Sequence, residues 1–305
     1  MTTDNHDRNL VERLAESSLR EQRTRRRWGT FFKFIMLIYV LALTAAYFVH
    51  TPNISNHGPH AAVIDINGVI EASGSNSAVN INAALRNAFE AESAKGVILR
   101  INSPGGSAVE SNRIYRELLR LRNKYPQKKV YAVAGDFCAS GGYYIAAATD
   151  EIYVDDNSLV GSIGVIFSSF GFVETMEKLG VSRRVQTGGE NKNMFDPFSP
   201  QSEEERTRID NIVSVIHDNF QEAVRQGRGD RLTAHPDIFS GAIFVGEHNV
   251  RLGLADGLGD TGYVARDVIG VDYTISYTPR DWTDEIFSHF SRGVTQVLFQ
   301  QRLIL

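Results

Sequence analysis

Ser140 sits in Cys138-Ala139-Ser140-Gly141-Gly142, between an apolar run (130–135, VYAVAG) and a small-residue helix start. A hydroxyl at such a corner suits a nucleophile. Gly141 and Gly142 carry no side chain, so a substrate backbone can approach closely. The N–H of Gly141 and one from Gly105 or Gly106, in Asn102-Ser103-Pro104-Gly105-Gly106, are available to line an oxyanion hole for a tetrahedral intermediate. A serine nucleophile needs a base, and a lysine serves when burial leaves its amine neutral. Lys192, in Thr187-Gly188-Gly189-Glu190-Asn191-Lys192-Asn193, is one candidate. Spacing alone does not single it out. The plainer readings are a solvated surface lysine and a serine that caps a helix.

Other chemistries lack their residues. The sequence has no GxxxxGK[ST] phosphate loop, no HExxH metal motif and no G-x-S-x-G elbow, and its single cysteine excludes thiolate-rich zinc sites. A net charge of −4 argues against a dedicated nucleic-acid binder. No cofactor or metal is expected. Of the eight histidines, His50, His57 and His60 fall in a linker-like stretch, and His217 lies on a long helical segment as a core or surface residue. The residues alone leave a Ser-His-Asp triad open.

The elements that must position these residues alternate. Strands are expected at 61–68, 96–102, 130–135 and 151–156, with helices at 78–92, 107–125 and from Ala139 onward. Val109, Ile114, Leu118 and Leu121 fall near helical spacing. This β–α alternation with short connections predicts an α/β fold whose parallel sheet is covered on both faces. Ligands bind outside the carboxyl ends of such strands, where both glycine-rich loops lie. Further on, 183–187 (RRVQT) reads as strand-like, 201–227 as a long amphipathic helix, 246–253 as a short helix, 271–277 as a strand and 284–305 as an amphipathic stretch.

The N-terminal region is different. Residues 28–49, WGTFFKFIMLIYVLALTAAYFV, carry only Lys33 as a charge. As a helix they span roughly 33 Å, about the thickness of bilayer hydrocarbon. Arg23, Arg25, Arg26 and Arg27 precede them, and 50–60 holds no Lys or Arg. The positive-inside rule predicts a cytoplasmic N-terminus and the remainder across the membrane. The long lead before the apolar run favours an uncleaved anchor over a secretory signal peptide.

Four motifs in order carry a resemblance: Asn102-Ser-Pro-Gly-Gly106, Ala139-Ser-Gly-Gly-Tyr-Tyr-Ile-Ala146, Gly161-Ser-Ile-Gly-Val165 and Gly188-Gly-Glu-Asn-Lys192. Over about residues 60–275 the chain resembles the signal peptide peptidase A family, in its single-domain form. These are membrane-anchored Ser–Lys proteases with a ClpP/crotonase-like parallel sheet flanked by helices. The resemblance implies Ser140 as nucleophile and Lys192 as general base, then general acid. It implies Ser162 as the residue orienting the Lys192 amine, and Gly106 and Gly141 as oxyanion donors, with Gly105 the alternative to Gly106. Cys138 departs from the small residue expected there, and the surroundings of Lys192 depart from the usual pattern.

The resemblance also implies released signal peptides and similar hydrophobic peptides as substrates, a homo-oligomer, and no nucleic acid. The implied organisation is a cytoplasmic lead (1–27), a transmembrane anchor (28–49) holding the bilayer, a linker (50–60), a protease domain (61–280) and a C-terminal amphipathic helix (281–305). The implied location is a bacterial inner membrane, with the catalytic domain outside the cytoplasm. Two rival readings are a crotonase-type acyl-CoA enzyme and a non-catalytic scaffold on a protease-like fold.

Overall fold

The central strands are built from apolar runs in which successive side chains face opposite sides of a sheet. The computed structural model describes residues 26–42, 44 and 58–278. The chain divides into two units, Met1–Asn56 and His57–Leu305. In the first unit, residues 26–42 form a helix with Trp28, Phe32 and Met36 all more than half exposed. Among the described residues no helix is long and apolar enough to cross a membrane. The rest of the apolar run 28–49 lies outside the described residues, apart from Thr44. So do most of the lead (1–27), most of the linker (50–60) and the C-terminal stretch 281–305.

The second unit contains β1 (His60–Asn67), α1 (Ala78–Glu90), β2 (Ala94–Ser103), α2 (Ala108–Lys124), β3 (Val130–Ala139), α3 (Gly141–Ala146), β4 (Glu151–Val154) and β5 (Leu159–Gly161). There follow α4 (Val173–Lys178), α5 (Glu203–Arg228), β6 (Ile243–Val245), α6 (Glu247–Leu252), β7 (Gly257–Leu258) and β8 (Thr274–Ser276). The sheet runs in the order β6-β5-β3-β2-β1-β8, with β4 beside β3 and β7 beside β4. All pairs are parallel except β5 with β6. This is an α/β fold with a mostly parallel sheet flanked by helices.

Serine caps start the helices at the site. The Ser77 hydroxyl accepts from Asn80 N–H at the start of α1, and the Ser107 hydroxyl from Glu110 N–H at the start of α2. Ile81, Leu85 and Phe89 of α1 are buried, as are Ile64, Ile66, Leu99 and Ile101 of the strands. The opposite sheet face has Ala61, Val63, Ile98, Val133 and Tyr153 packed with Val264, Ala265 and Val271. Towards the carboxyl ends the same face turns polar, around a cleft of about 480 Å³ lined by Asp65, Arg100, Asn102, Asp136 and Asp155.

Several expected boundaries move. His60 belongs to β1 rather than to a linker, its ring within hydrogen-bond distance of the Gly58 carbonyl and the Tyr277 hydroxyl. RRVQT is irregular, and among the described residues no strand pairs with it. β3 continues past Gly135 to Ala139, since its far end finds a partner in β5, pairing Ala139 with Gly161.

Candidate active site

Because β3 runs to Ala139, Ser140 is the corner between strand and helix. Its backbone has φ 50° and ψ −120°, a conformation costly for any residue with a β-carbon. Two bonds hold it there: Ser140 N–H donates to Gly161 C=O at 2.9 Å, and Tyr144 N–H to Ser140 C=O at 2.9 Å. A strained strand-to-helix turn is thus formed at Ser140 without the G-x-S-x-G spelling.

Ser162 follows the residue that Ser140 bonds. It too has positive φ, at 48°, and its N–H donates to Ala242 C=O at 2.7 Å. The β3–β5 ladder therefore sets Ser140 and Ser162 one step beyond a paired position, both half-buried. Among the described residues neither hydroxyl has a hydrogen-bond partner.

The loop after β2 presses against Ser140. A β-carbon on Gly105 would lie 2.7 Å from Gly141 N and 2.7 Å from Ser140 Cβ. One on Gly141 would meet Ser111 Oγ at 2.5 Å and Gly106 N at 3.3 Å. Only glycine fits at both positions, and the amides of Gly106 and Gly141 are brought together beside Ser140. Gly105 N–H donates to Ser103 Oγ at 3.1 Å. Among the described residues the N–H groups of Gly106 and Gly141 have no acceptor. Gly106 is exposed, whereas Gly105 is buried.

Ile70, three residues beyond β1, secures this loop through an isolated bridge. Ile70 N–H donates to Gly105 C=O at 2.9 Å, and Ser107 N–H to Ile70 C=O at 2.8 Å. Asn76 in turn bonds Asn67 and Val69 and fixes the approach to Ile70. Residue types give no role to Ser103, Ser111, Ile70 or Asn76. Their partners are backbone groups, which residue types do not reveal.

Lys192 is exposed, in an irregular stretch where its N–H donates to Gly189 C=O at 3.2 Å. Among the described residues no hydrogen bond or ion pair engages its amine. In the segment that precedes it in sequence, Ile166, Phe170, Leu179 and Val181 are each more than half exposed.

The triad left open by the residues is not formed within the described residues. His217 Nε2 lies 3.1 Å from Ile163 C=O, and Nδ1 lies 3.3 Å from Gln221 Nε2. The ring braces the strand end after Ser162, which requires the Nε2–H tautomer. Cys138 is fully buried, and burial pushes its thiol up to about 12, far from the reactive thiolate range.

A serine on a strained corner with two unengaged amides beside it has the donors that acyl-transfer chemistry needs. Comparison with known proteins agrees in kind. A family model described as peptidase family S49 matches residues 122–268. A Synechocystis protein named as a candidate protease (slr0021) is 33% identical over 214 residues, covering 69% of this chain and 75% of that one. A protein of Enterococcus faecium named as a candidate signal peptide peptidase SppA is 33% identical over 204 residues, covering 64% of this chain and 59% of its own length.

A Brucella abortus protein named as a Na(+)/H(+) antiporter, NhaA, is 42% identical over 213 residues, 68% of this chain. Those residues are 29% of that protein, so the chain spans well under two thirds of some of the relatives it matches. The chain belongs to peptidase family S49, the family of signal peptide peptidase A.

Proposed function

We propose that this chain is a membrane-anchored serine endopeptidase that degrades released signal peptides and similar hydrophobic peptides. The observation that carries the reading is the meeting of Ser140 with the unengaged amides of Gly106 and Gly141. The Ser140 hydroxyl attacks the scissile carbonyl and passes its proton to the Lys192 amine. Gly106 and Gly141 donate to the oxyanion. Lys192 returns the proton to the leaving amine, and water releases the acyl group. Ser162, beside Ser140 through the β3–β5 ladder, orients the lysine. Neither metal nor cofactor enters these steps.

The lysine works as a base only where it is desolvated. The exposed apolar residues Ile166, Phe170, Leu179 and Val181 support a homo-oligomer in which a second copy covers that stretch and closes the site. The helix over 26–42, exposed along its length and rich in Phe and Leu, supports a bilayer anchor in 28–49. The proposed location is a bacterial inner membrane, with the catalytic unit on the far side from the N-terminus.

The test is cleavage of a synthetic signal-sequence peptide by the full chain in detergent. Ser140→Ala and Lys192→Ala should each abolish it. Persisting cleavage in Ser140→Ala overturns the mechanism. Mixing the two inactive variants restores activity if Ser140 and Lys192 meet across a subunit contact, and leaves it absent if they meet within one chain.

A further inference from the structure

The loop 103–107 handles its backbone groups selectively. Gly105 C=O accepts from Ile70 N–H, and Ser107 N–H donates to Ile70 C=O. Gly105 N–H is turned inward to Ser103 Oγ. Among the described residues Gly106 N–H is unengaged, on an exposed glycine with φ 150° beside Gly141. Two successive glycines at φ 103° and 150° have no β-carbon to fix their peptide planes. Pro104 has no N–H with which to anchor the turn. Ile70 N–H, through Gly105 C=O, fixes the Gly105–Gly106 peptide plane, whereas among the described residues no backbone group holds the Pro104–Gly105 plane that precedes it.

We propose that Ser103 is the positioning residue for the oxyanion hole: its buried hydroxyl captures Gly105 N–H, holds the Pro104–Gly105 peptide that the backbone leaves free, and so keeps the following Gly106 N–H aimed at the reacting carbonyl. The inference rests on the peptidase reading above. Ser103 suits the task because it is rigid. It is fully buried, it closes β2, and it pairs with Cys138 of β3, two residues before Ser140. Its β-carbon also packs where α3 begins, 3.4 Å from the position of a β-carbon on Gly142. The nucleophile corner and the loop amide are thus referred to one point of the sheet. Without the hydroxyl a buried N–H loses its acceptor, and a loop of two glycines turns to find another. That turn carries Gly106 N–H away from the oxyanion.

The test compares Ser103→Ala, Ser103→Thr and Ser103→Val in the full chain, by peptide cleavage and by hydrogen exchange at the Gly105 amide. Thr and Val share a shape and differ by the hydroxyl, which separates hydrogen bonding from packing. The expected result is a kcat lower by about tenfold or more in Ala and Val, with KM within about twofold of wild type. Thr should retain kcat, and Gly105 exchange should quicken in Ala and Val only. Wild-type kcat in Ser103→Ala, or equal losses in Thr and Val, overturns the proposal. If Ser140→Ala still cleaves peptide, the peptidase reading fails instead. The exchange measurement then still decides whether Ser103 holds the loop.

Discussion

Ser140 donates its backbone N–H to the carbonyl of Gly161 at 2.9 Å, and that bond sets two positive-φ serines, Ser140 and Ser162, at the ends of neighbouring strands. Strain at the first of them is measurable. A β-carbon at φ 50°, ψ −120° is disfavoured by about 1–3 kcal/mol, and glycine escapes that cost. Allowing for glycine's freer unfolded chain, Ser140→Gly should be about 1 kcal/mol more stable than Ser140→Ala, both inactive. Urea midpoints compare them, and equal midpoints would mean that the corner stores no strain.

Gly227, near the end of α5, sets two opposing effects against each other. Alanine improves helix propensity by about 1 kcal/mol. Its β-carbon would, however, lie 1.8 Å from the Ala147 carbonyl oxygen, a backbone atom just beyond α3. Overpacking against backbone costs about 1–3 kcal/mol or more, so the clash wins. Gly227→Ala should lower the melting temperature. It should also loosen the Tyr144–Phe220 stack, whose ring centroids are 4.8 Å apart, in the near-ultraviolet circular dichroism. A raised melting temperature would contradict this packing.

Arg228 is 1% exposed, and its guanidinium donates to Asp256 at 2.7 and 3.0 Å. Burial pushes the Asp256 carboxyl up. The bonds and charge of Arg228, the Ile152 N–H and the charge of Arg231 outweigh it, holding the carboxyl below the ordinary aspartate value. A depressed native value stabilises the fold above the unfolded-state value of about 3.9, and that stability is lost as pH falls through the native value. Asp256→Ala should cost about 3–5 kcal/mol at neutral pH, because it leaves a buried guanidinium unpaired. The difference from wild type should shrink in denaturation curves taken below about pH 4. A pH-independent difference would remove the ion pair as its cause.

Cys138 offers a reporter free of the chemistry. Its thiol is inaccessible, and burial pushes it up to about 12. Iodoacetamide at pH 8 should leave the folded chain unmodified and alkylate it only in denaturant, as mass spectrometry would record. Rapid alkylation of the native protein, with loss of cleavage, would place the thiol at the surface.

The sequence by itself determined the frame. Apolar runs such as 96–102 alternate with amphipathic stretches such as 107–125, and a chain of that pattern buries its strands only in a parallel sheet under helices. Residue types also marked Ser140 and the glycine pairs, because glycine beside a serine at a strand end is legible without coordinates. The tertiary structure decided the rest. β3 reaches Ala139 only because β5 pairs with it, so the strained corner at Ser140 is a product of a contact twenty-two residues away (161 − 139 = 22). That Gly105 donates to Ser103 while Gly106 is left open depends on peptide orientation, to which glycine side chains contribute nothing. Hydrogen bonds between backbone groups have no signature in residue order, and they select which of several equivalent glycines keeps an unengaged amide.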